Sequence, residues 1–176
     1  MIGLAQDIIR DAQVALQDDG TRWPAPELVR YLRDGVLALL RVKPEESESS
    51  VAFVPVPGAK QALPVDAMRL LSIDCNAQGR WRAMTMVERA DLQAVARDWL
   101  SMTPAVELVH WMAPATEPRT FYVYPPARDG AALELTYCKY PDPIPEPGSA
   151  AWASVTGATG VEARWNAALR DYVLYR

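Results

Sequence analysis

The sequence predicts an α+β fold in which an N-terminal helical hairpin and a C-terminal helix form a helical bundle, with an antiparallel β-sheet or sandwich region inserted between them. Apolar residues recur every three to four positions in residues 1–44 and again in residues 160–176, which is the period of an amphipathic helix. In residues 51–140 the period changes to two, and turn-forming residues separate the apolar stretches. That alternation is typical of strands with one buried side.

The helical hairpin is predicted from two apolar stripes and the turn between them. The stripes are Leu4, Ile8, Ala12 and Leu16 in the first helix and Leu28, Leu32, Val36 and Leu39 in the second, with Asp7, Arg10, Asp11 and Gln13 on the solvent side of the first. Gly20 offers a C-terminal cap, and Pro24 and Pro26 open the second helix because proline is tolerated at a first helical position. We therefore expect antiparallel helices with Trp23 at the corner, the second ending by Pro44.

The middle of the chain is predicted to be strands with one short helix, after a polar, acidic loop over residues 45–50. The predicted strands cover residues 51–56, 68–75, 80–84, 106–112, 120–124 and 131–140. Thr85 and Glu88 have the spacing of a helix capping box, which predicts a short helix over residues 86–100. The proline and glycine content of residues 125–130 predicts a turn.

A proline-rich segment and a final helix complete the predicted single domain of 176 residues. Prolines occupy alternate positions in residues 141–148, and because proline fits neither a helix interior nor a central strand, we expect an extended arm. The last helix, over residues 160–176, has a clear apolar side. Its members are Val161, Trp165, Leu169, Tyr172 and Val173.

Composition limits the classes of function. The net charge of −4 and the pI near 5.1 lack the excess of lysine and arginine that neutralises phosphates, so tight DNA binding is disfavoured. Of the 18 basic residues only Lys43, Lys60 and Lys139 are lysines, and arginine suits planar pairing with carboxylates, which favours protein partners. No apolar run approaches the ~20 residues of a membrane span.

No pattern of catalytic or metal-binding residues is visible. His110 is the only histidine and lies in a predicted strand, so it is interpreted as a hydrogen-bonded structural residue. Cys75 and Cys138 have no second ligand at zinc spacing, and the sequence holds no glycine-rich phosphate loop, nucleophile elbow or metalloprotease helix. We expect neither an enzyme nor a cofactor. A carbohydrate- or receptor-binding β-domain is the alternative, since exposed aromatics could stack on sugars.

Several short stretches resemble, in order and spacing, the head-to-tail adaptor, or connector, proteins of tailed bacteriophages. They are DA at 11–12, RWP at 22–24, ELVRYLRDG at 27–35, QALP at 61–64, MRLL at 68–71, PRTFYVYPP at 118–126 and DYVLYR at 171–176. The resemblance implies a structural virion protein at the head-tail junction, made in the host cytoplasm, that forms a dodecameric ring. Its implied partners are the portal protein, a tail or nozzle protein and its own copies, with DNA passing through the channel without tight binding.

Two sets of residues are predicted to serve assembly. The aromatic C-terminal helix has the composition of an interface anchor, and its portal-docking residues are predicted to be Trp165, Leu169, Tyr172, Val173, Tyr175 and Arg176. We expect Trp165, Leu169, Tyr172 and Val173 to be only partly covered before docking; the alternative is that the helix packs on the first two helices of its own chain. Complementary charges predict the ring contacts. These are Asp7, Asp11, Asp18, Arg30, Arg33 and Arg41.

Overall fold

The computed structural model describes residues 1–176, which divide into two compact units. The helical unit comprises residues 1–47 and 141–176, and the β-unit comprises residues 48–140. The fold is mixed α+β with four helices and several antiparallel sheets, which confirms the α+β part of the predicted fold class. The helices are α1 (Ala5–Ala15), α2 (Ala25–Val42), α3 (Arg89–Val95) and α4 (Asn166–Tyr175). The strands are β1 (Ile2–Leu4), β2 (Glu48–Phe53), β3 (Gly58–Ala62), β4 (Ala67–Asn76), β5 (Thr85–Met86), β6 (His110–Met112), β7 (Thr120–Ala127), β8 (Leu133–Lys139) and β9 (Ala158–Glu162).

The helical unit contains a two-stranded sheet that the sequence did not predict. β1 pairs antiparallel with β9, with Ile2 opposite Glu162. Leu4 was expected on the buried side of the first helix, and this prediction is wrong: Leu4 ends β1 and is exposed. Gly3 permits the close approach, because a Cβ at this position would lie 3.1 Å from Oγ1 of Thr159 in β9.

The β-unit consists of two sheets with a shared core. One sheet has the strand order β2-β8-β4 and the other β3-β7-β6-β5, with only the β5–β6 pair parallel. A single buried cluster includes Ile73 of β4, Leu135 of β8, Phe121 of β7 and Trp111 of β6, so the two sheets bury apolar faces against the same core. A second cluster joins Leu92 of α3 and Trp99 to the four-stranded sheet.

The predicted strand over residues 80–84 and the capping box after it are both wrong. Trp81 has a φ of 52°, which interrupts an extended chain, and residues 80–84 reach β4 through the isolated bridge Cys75–Ala83 and its flanking hydrogen bonds. Thr85 belongs to β5, where its N–H donates to the carbonyl of Val109 (3.1 Å). Glu88 precedes α3 but makes no side-chain capping bond. Tertiary pairing with β6 therefore overrides the local helix signal.

Two predicted loops are also partly regular. Residues 44–47 form a 3-10 turn, and β2 begins at Glu48 inside the predicted acidic loop. β7 runs on through Pro125 and Pro126 to Ala127, with a cis Tyr124–Pro125 bond. Pro126 lacks an N–H but its carbonyl accepts from the Ala105 N–H (2.8 Å). A proline in a strand is compatible with pairing that uses only its carbonyl.

Candidate assembly surfaces

The two helix surfaces predicted to serve assembly both belong to the helical unit. α4 packs against α2 at Gly35, where an added Cβ would lie 3.5 Å from Cδ2 of Leu169. Leu169 and Val173 are buried, with exposures of 2% and 3%. The expectation that these two docking residues are only partly covered in the free chain is wrong. An apolar helix side looks the same in sequence whether it covers its own chain or a partner, so the pattern could not decide between these cases.

The other predicted docking residues are more accessible. Trp165 and Tyr172 are half-buried, whereas Tyr175 is 86% exposed. The guanidinium of Arg176 lies 5.5 Å from the centroid of the Tyr172 ring, which is within the range of a cation–π contact. The end of α4 therefore presents an aromatic ring and a cation to solvent.

An ion pair between the exposed Arg164 and the buried side chain of Glu46 joins the turn before α4 to the turn after α2. The Glu46 side chain is only 5% exposed, and Arg164 donates a short hydrogen bond to it. Burial raises the pKa of Glu46, but the Trp165 indole N–H and the Arg164 guanidinium outweigh it and hold this pKa below its ordinary value. The Glu46 carboxylate is thus charged at neutral pH and anchors the turn that leads into α4. The sequence predicted Glu46 to lie in a polar, acidic loop.

The predicted ring-contact residues fall into two groups. Asp18 accepts from the backbone N–H groups of Arg22 (3.1 Å) and Trp23 (2.7 Å). Burial raises the pKa of Asp18, and these bonds lower it to a net value below the ordinary one. The Arg33 Nε donates to the Ile144 carbonyl (3.0 Å), and its Nη1 lies 2.7 Å from Glu146. Asp18 and Arg33 therefore act within the chain.

The remaining predicted ring-contact residues face solvent or lie near it. Asp7 and Asp11 both lie close to Arg10, at 3.3 Å and 2.9 Å from its guanidinium nitrogens. Arg30 and Arg41 are exposed on α2 and form no ion pair within the chain. These two arginines are the cations of the predicted set that a neighbouring molecule could pair with at no loss of an internal bond.

Gln13 was predicted to face solvent, and this prediction is wrong. Its side chain is 1% exposed, and its Nε2 donates to the carbonyls of Trp23 (2.9 Å) and Ala150 (3.1 Å). Its Oε1 accepts from the Trp152 N–H (3.1 Å). One amide thus joins the α1–α2 corner to the segment that precedes β9. The sequence carries no local signal for this contact, because its partners lie far along the chain.

The structure also shows the surroundings of the residues considered for chemistry. The His110 ring stacks on Tyr124, with centroids 6.0 Å apart. Neither Cys75 nor Cys138 takes part in a disulfide. No group of three or more histidine, cysteine or acidic side chains is arranged to hold a metal ion. None of the helices has the length and apolar character that a membrane span requires.

The decisive comparison is with protein-family models. Residues 4–176 match the model described as the SU10 adaptor protein. The chain belongs to the SU10 adaptor family. This family is one of bacteriophage head-to-tail adaptors, so the resemblance found in the sequence is confirmed. No curated protein matches the chain.

Membership of the SU10 adaptor family indicates the role in which exposed surfaces of this chain would be used. An SU10 adaptor is a structural protein of the phage head-tail junction, and it interacts there with other virion components. An adaptor must present surfaces that its own fold does not use. Tyr175 of α4 and Arg30 and Arg41 of α2 are exposed to solvent.

Proposed function

We propose that this SU10 adaptor binds the portal ring of the capsid, connects it to the tail and lines part of the DNA exit channel, with both units acting as one adaptor domain. The observation that carries this proposal is the family match over residues 4–176. That match includes the helical unit and the β-unit alike. The proposed role is structural and requires no catalysis.

The proposed portal contact uses the exposed end of α4. Tyr175 and Arg176 face solvent, and tyrosine and arginine are the residue types that contribute most at protein interfaces. Trp165 and Tyr172 supply half-buried aromatic surface beside them. Leu169 and Val173 are proposed to act indirectly, because their burial holds α4 on the helical unit.

The proposed ring contacts use charges on α1 and α2. Arg30 and Arg41 on one copy would face Asp7 and Asp11 on the next, which gives the head-to-tail contact that a closed ring requires. Those two acids contact Arg10, but exposed pairs of this kind contribute only about 0–1 kcal/mol each. Exchanging them for pairs between copies therefore has a small free-energy cost.

The proposed order of assembly begins with a monomer. A net charge of −4 repels free copies, whereas each copy added to a preformed portal gains contacts to both the portal and its neighbour. The same acidic balance disfavours tight phosphate contacts. DNA would therefore slide through a ring of twelve copies rather than bind it.

Imaging of the protein with and without portal tests this proposal. We expect a monomer by sedimentation at micromolar concentration, and rings in negative-stain images only when portal is present. Tyr175→Ser should weaken portal binding without changing thermal unfolding. The matched control is Tyr140→Ser, which removes an exposed tyrosine from the β-unit. Failure to bind portal would refute the function, and a stable ring without portal would refute the order of assembly.

A further inference from the structure

The β-unit contains an open cleft that the helix-based assembly surfaces do not explain. Its volume is about 570 Å³. The lining comes from the edge of β4, from β5, from β6 and from the loop that follows β6, and it includes Arg69, Leu71, Met86, Trp111, Ala113 and Pro114. The cleft therefore lies where one edge of each sheet meets the shared core.

The path of the chain between β4 and β6 explains why the cleft is open. The Asn76 N–H donates to the Arg82 carbonyl (2.9 Å), and the Met84 N–H donates to the Asp74 carbonyl (3.1 Å). The chain then leaves β4: the next N–H, that of Thr85, donates to Val109 (3.1 Å) beside the other sheet. This segment covers only the last residues of β4. From Arg69 to Ile73 the outer edge of β4 pairs with no strand.

An uncovered strand edge offers a row of backbone donors and acceptors to another chain. Recognition by strand addition uses this row for affinity and adjacent pockets for alternate side chains. Here the pockets are present, because Trp111 forms a buried part of the lining and Met86 is 58% exposed above it. Met86 also lines a neighbouring cavity of about 320 Å³ together with Ala113 and Pro114. Methionine is common at surfaces that accommodate a partner.

The charge of the cleft indicates which charge its occupant should carry. Arg69 is the one charged residue of the lining, is exposed, and forms no ion pair within the chain. A carboxylate on the occupant would complete a bidentate pair with it. The exposed valines of this chain's own extended segment, Val54 and Val56, alternate with prolines, which cannot donate to a strand edge. This segment of a second copy is therefore a poor occupant.

We propose that the cleft binds an extended segment of another virion protein, with alternating apolar side chains and one carboxylate, as an additional strand on β4. The inference rests on the proposed function only in taking the partner from the virion. The edge, the apolar lining and the unpaired arginine do not depend on portal binding. Loss of one proposal would therefore leave the other standing.

Two peptides test the proposal on the chain of residues 1–176. One is a capped seven-residue peptide of alternating valine and threonine with a central aspartate, and the other carries lysine in place of the aspartate. We expect the aspartate peptide to shift the amide resonances of residues 69–73 and the Trp111 indole resonance. The lysine peptide should bind about fivefold more weakly, as an exposed ion pair predicts. Arg69→Glu should reverse this preference.

A second pair of variants distinguishes peptide binding in the cleft from nonspecific binding elsewhere on the protein. Met86→Ser removes apolar surface from the cleft without adding a charge; it should abolish binding of the aspartate peptide and leave thermal unfolding unchanged, because Met86 is exposed. Val95→Ser, at an exposed valine of α3 outside the cleft, is the matched control and should bind normally. Shifts outside the cleft, or the same preference in wild type and Arg69→Glu, would overturn the proposal. Concentration-dependent self-association that shifts the resonances of residues 69–73 would overturn it in favour of a second copy.

Discussion

Gly35 of α2 and Tyr172 of α4 are in such close contact that a Cβ at position 35 would lie 2.9 Å from Cδ1 of Tyr172. Ordinary contacts between carbon atoms are about 3.5–4.0 Å. Gly35 lies inside an 18-residue helix, where glycine is unfavourable by about 1 kcal/mol relative to alanine. Glycine at position 35 therefore lowers the intrinsic stability of α2 but allows α4 to pack closer to it.

Gly35→Ala should destabilise the protein despite its better helix propensity. Overpacking costs about 1–3 kcal/mol, which exceeds the gain in propensity, so we expect a net loss of about 1 kcal/mol in urea unfolding. In a Tyr172→Ala background the clash is absent, and the same Gly35→Ala change should become stabilising. An equal loss in both backgrounds would show that Tyr172 is not the residue that excludes a side chain at position 35.

Acid should weaken the attachment of α4 through Glu46. Because the pKa of Glu46 is lower in the folded chain, its contribution is present above the ordinary glutamate pKa and is lost as the pH falls through the lowered pKa. Glu46→Gln should lower the thermal midpoint at pH 7. The difference from wild type should shrink as the pH falls below about 4.

Glu45→Gln is the control for Glu46→Gln. Glu45 lies in the same turn but is exposed, 3.6 Å from Lys43, so its replacement should change the thermal midpoint little at any pH. A constant difference between Glu46→Gln and wild type from pH 7 to pH 3 would contradict an electrostatic role for Glu46.

Gln13→Leu should loosen two segments at once. The change leaves the carbonyl of Trp23 and the N–H of Trp152 without their partner, and an unpaired buried group costs about 1–3 kcal/mol. We expect a loss of about 2 kcal/mol in urea unfolding and faster hydrogen exchange at the Trp152 amide. Gln6→Leu is the control on the same helix, since Gln6 makes only one long bond, of 3.4 Å to Ala153. If both variants lost the same unfolding free energy, the buried hydrogen bonds of Gln13 would not be what stabilises these two segments.

Arg33 of α2 should contribute to folding stability, whereas Arg30 and Arg41 of the same helix should not. Arg33→Glu removes the bonds to Ile144 and Glu146 and should cost about 1–2 kcal/mol of unfolding free energy. Arg30→Glu combined with Arg41→Glu should change stability by less than about 0.5 kcal/mol. That double variant should nevertheless reduce ring formation on the portal, measured by counting subunits in images. Normal rings from it would exclude these arginines as contacts between copies.

The spacing of apolar residues within single stretches of sequence was enough to predict several helices and strands. The stripe through Leu28, Leu32 and Val36 placed α2 correctly, because all three residues are buried on one side of a helix. The alternation of apolar residues predicted a strand region that includes β4 and β8. The boundaries of these elements shifted where neighbouring strands add or remove pairing, which a single stretch of sequence does not encode.

Features that depend on distant residues could not be predicted. β1 forms because Ile2 and Glu162 are partners across the whole chain, and Thr85 joins a strand because Val109 accepts its N–H. The candidate sites show the same limit. Tyr175 and Leu169 lie on one helix and were predicted together, yet one is exposed and the other buried, since only the packed structure decides which positions α2 covers.

The helical unit is assembled from residues 1–47 and 141–176, whereas the β-unit is one continuous stretch. During synthesis the β-unit has all its strands once Lys139 has left the ribosome. At that moment the helical unit still lacks β9 and α4. The β-unit can thus fold before the helical unit, whose two segments flank it in the sequence. A nascent or prematurely terminated chain can therefore contain every strand of the β-unit and lack the α4 surface.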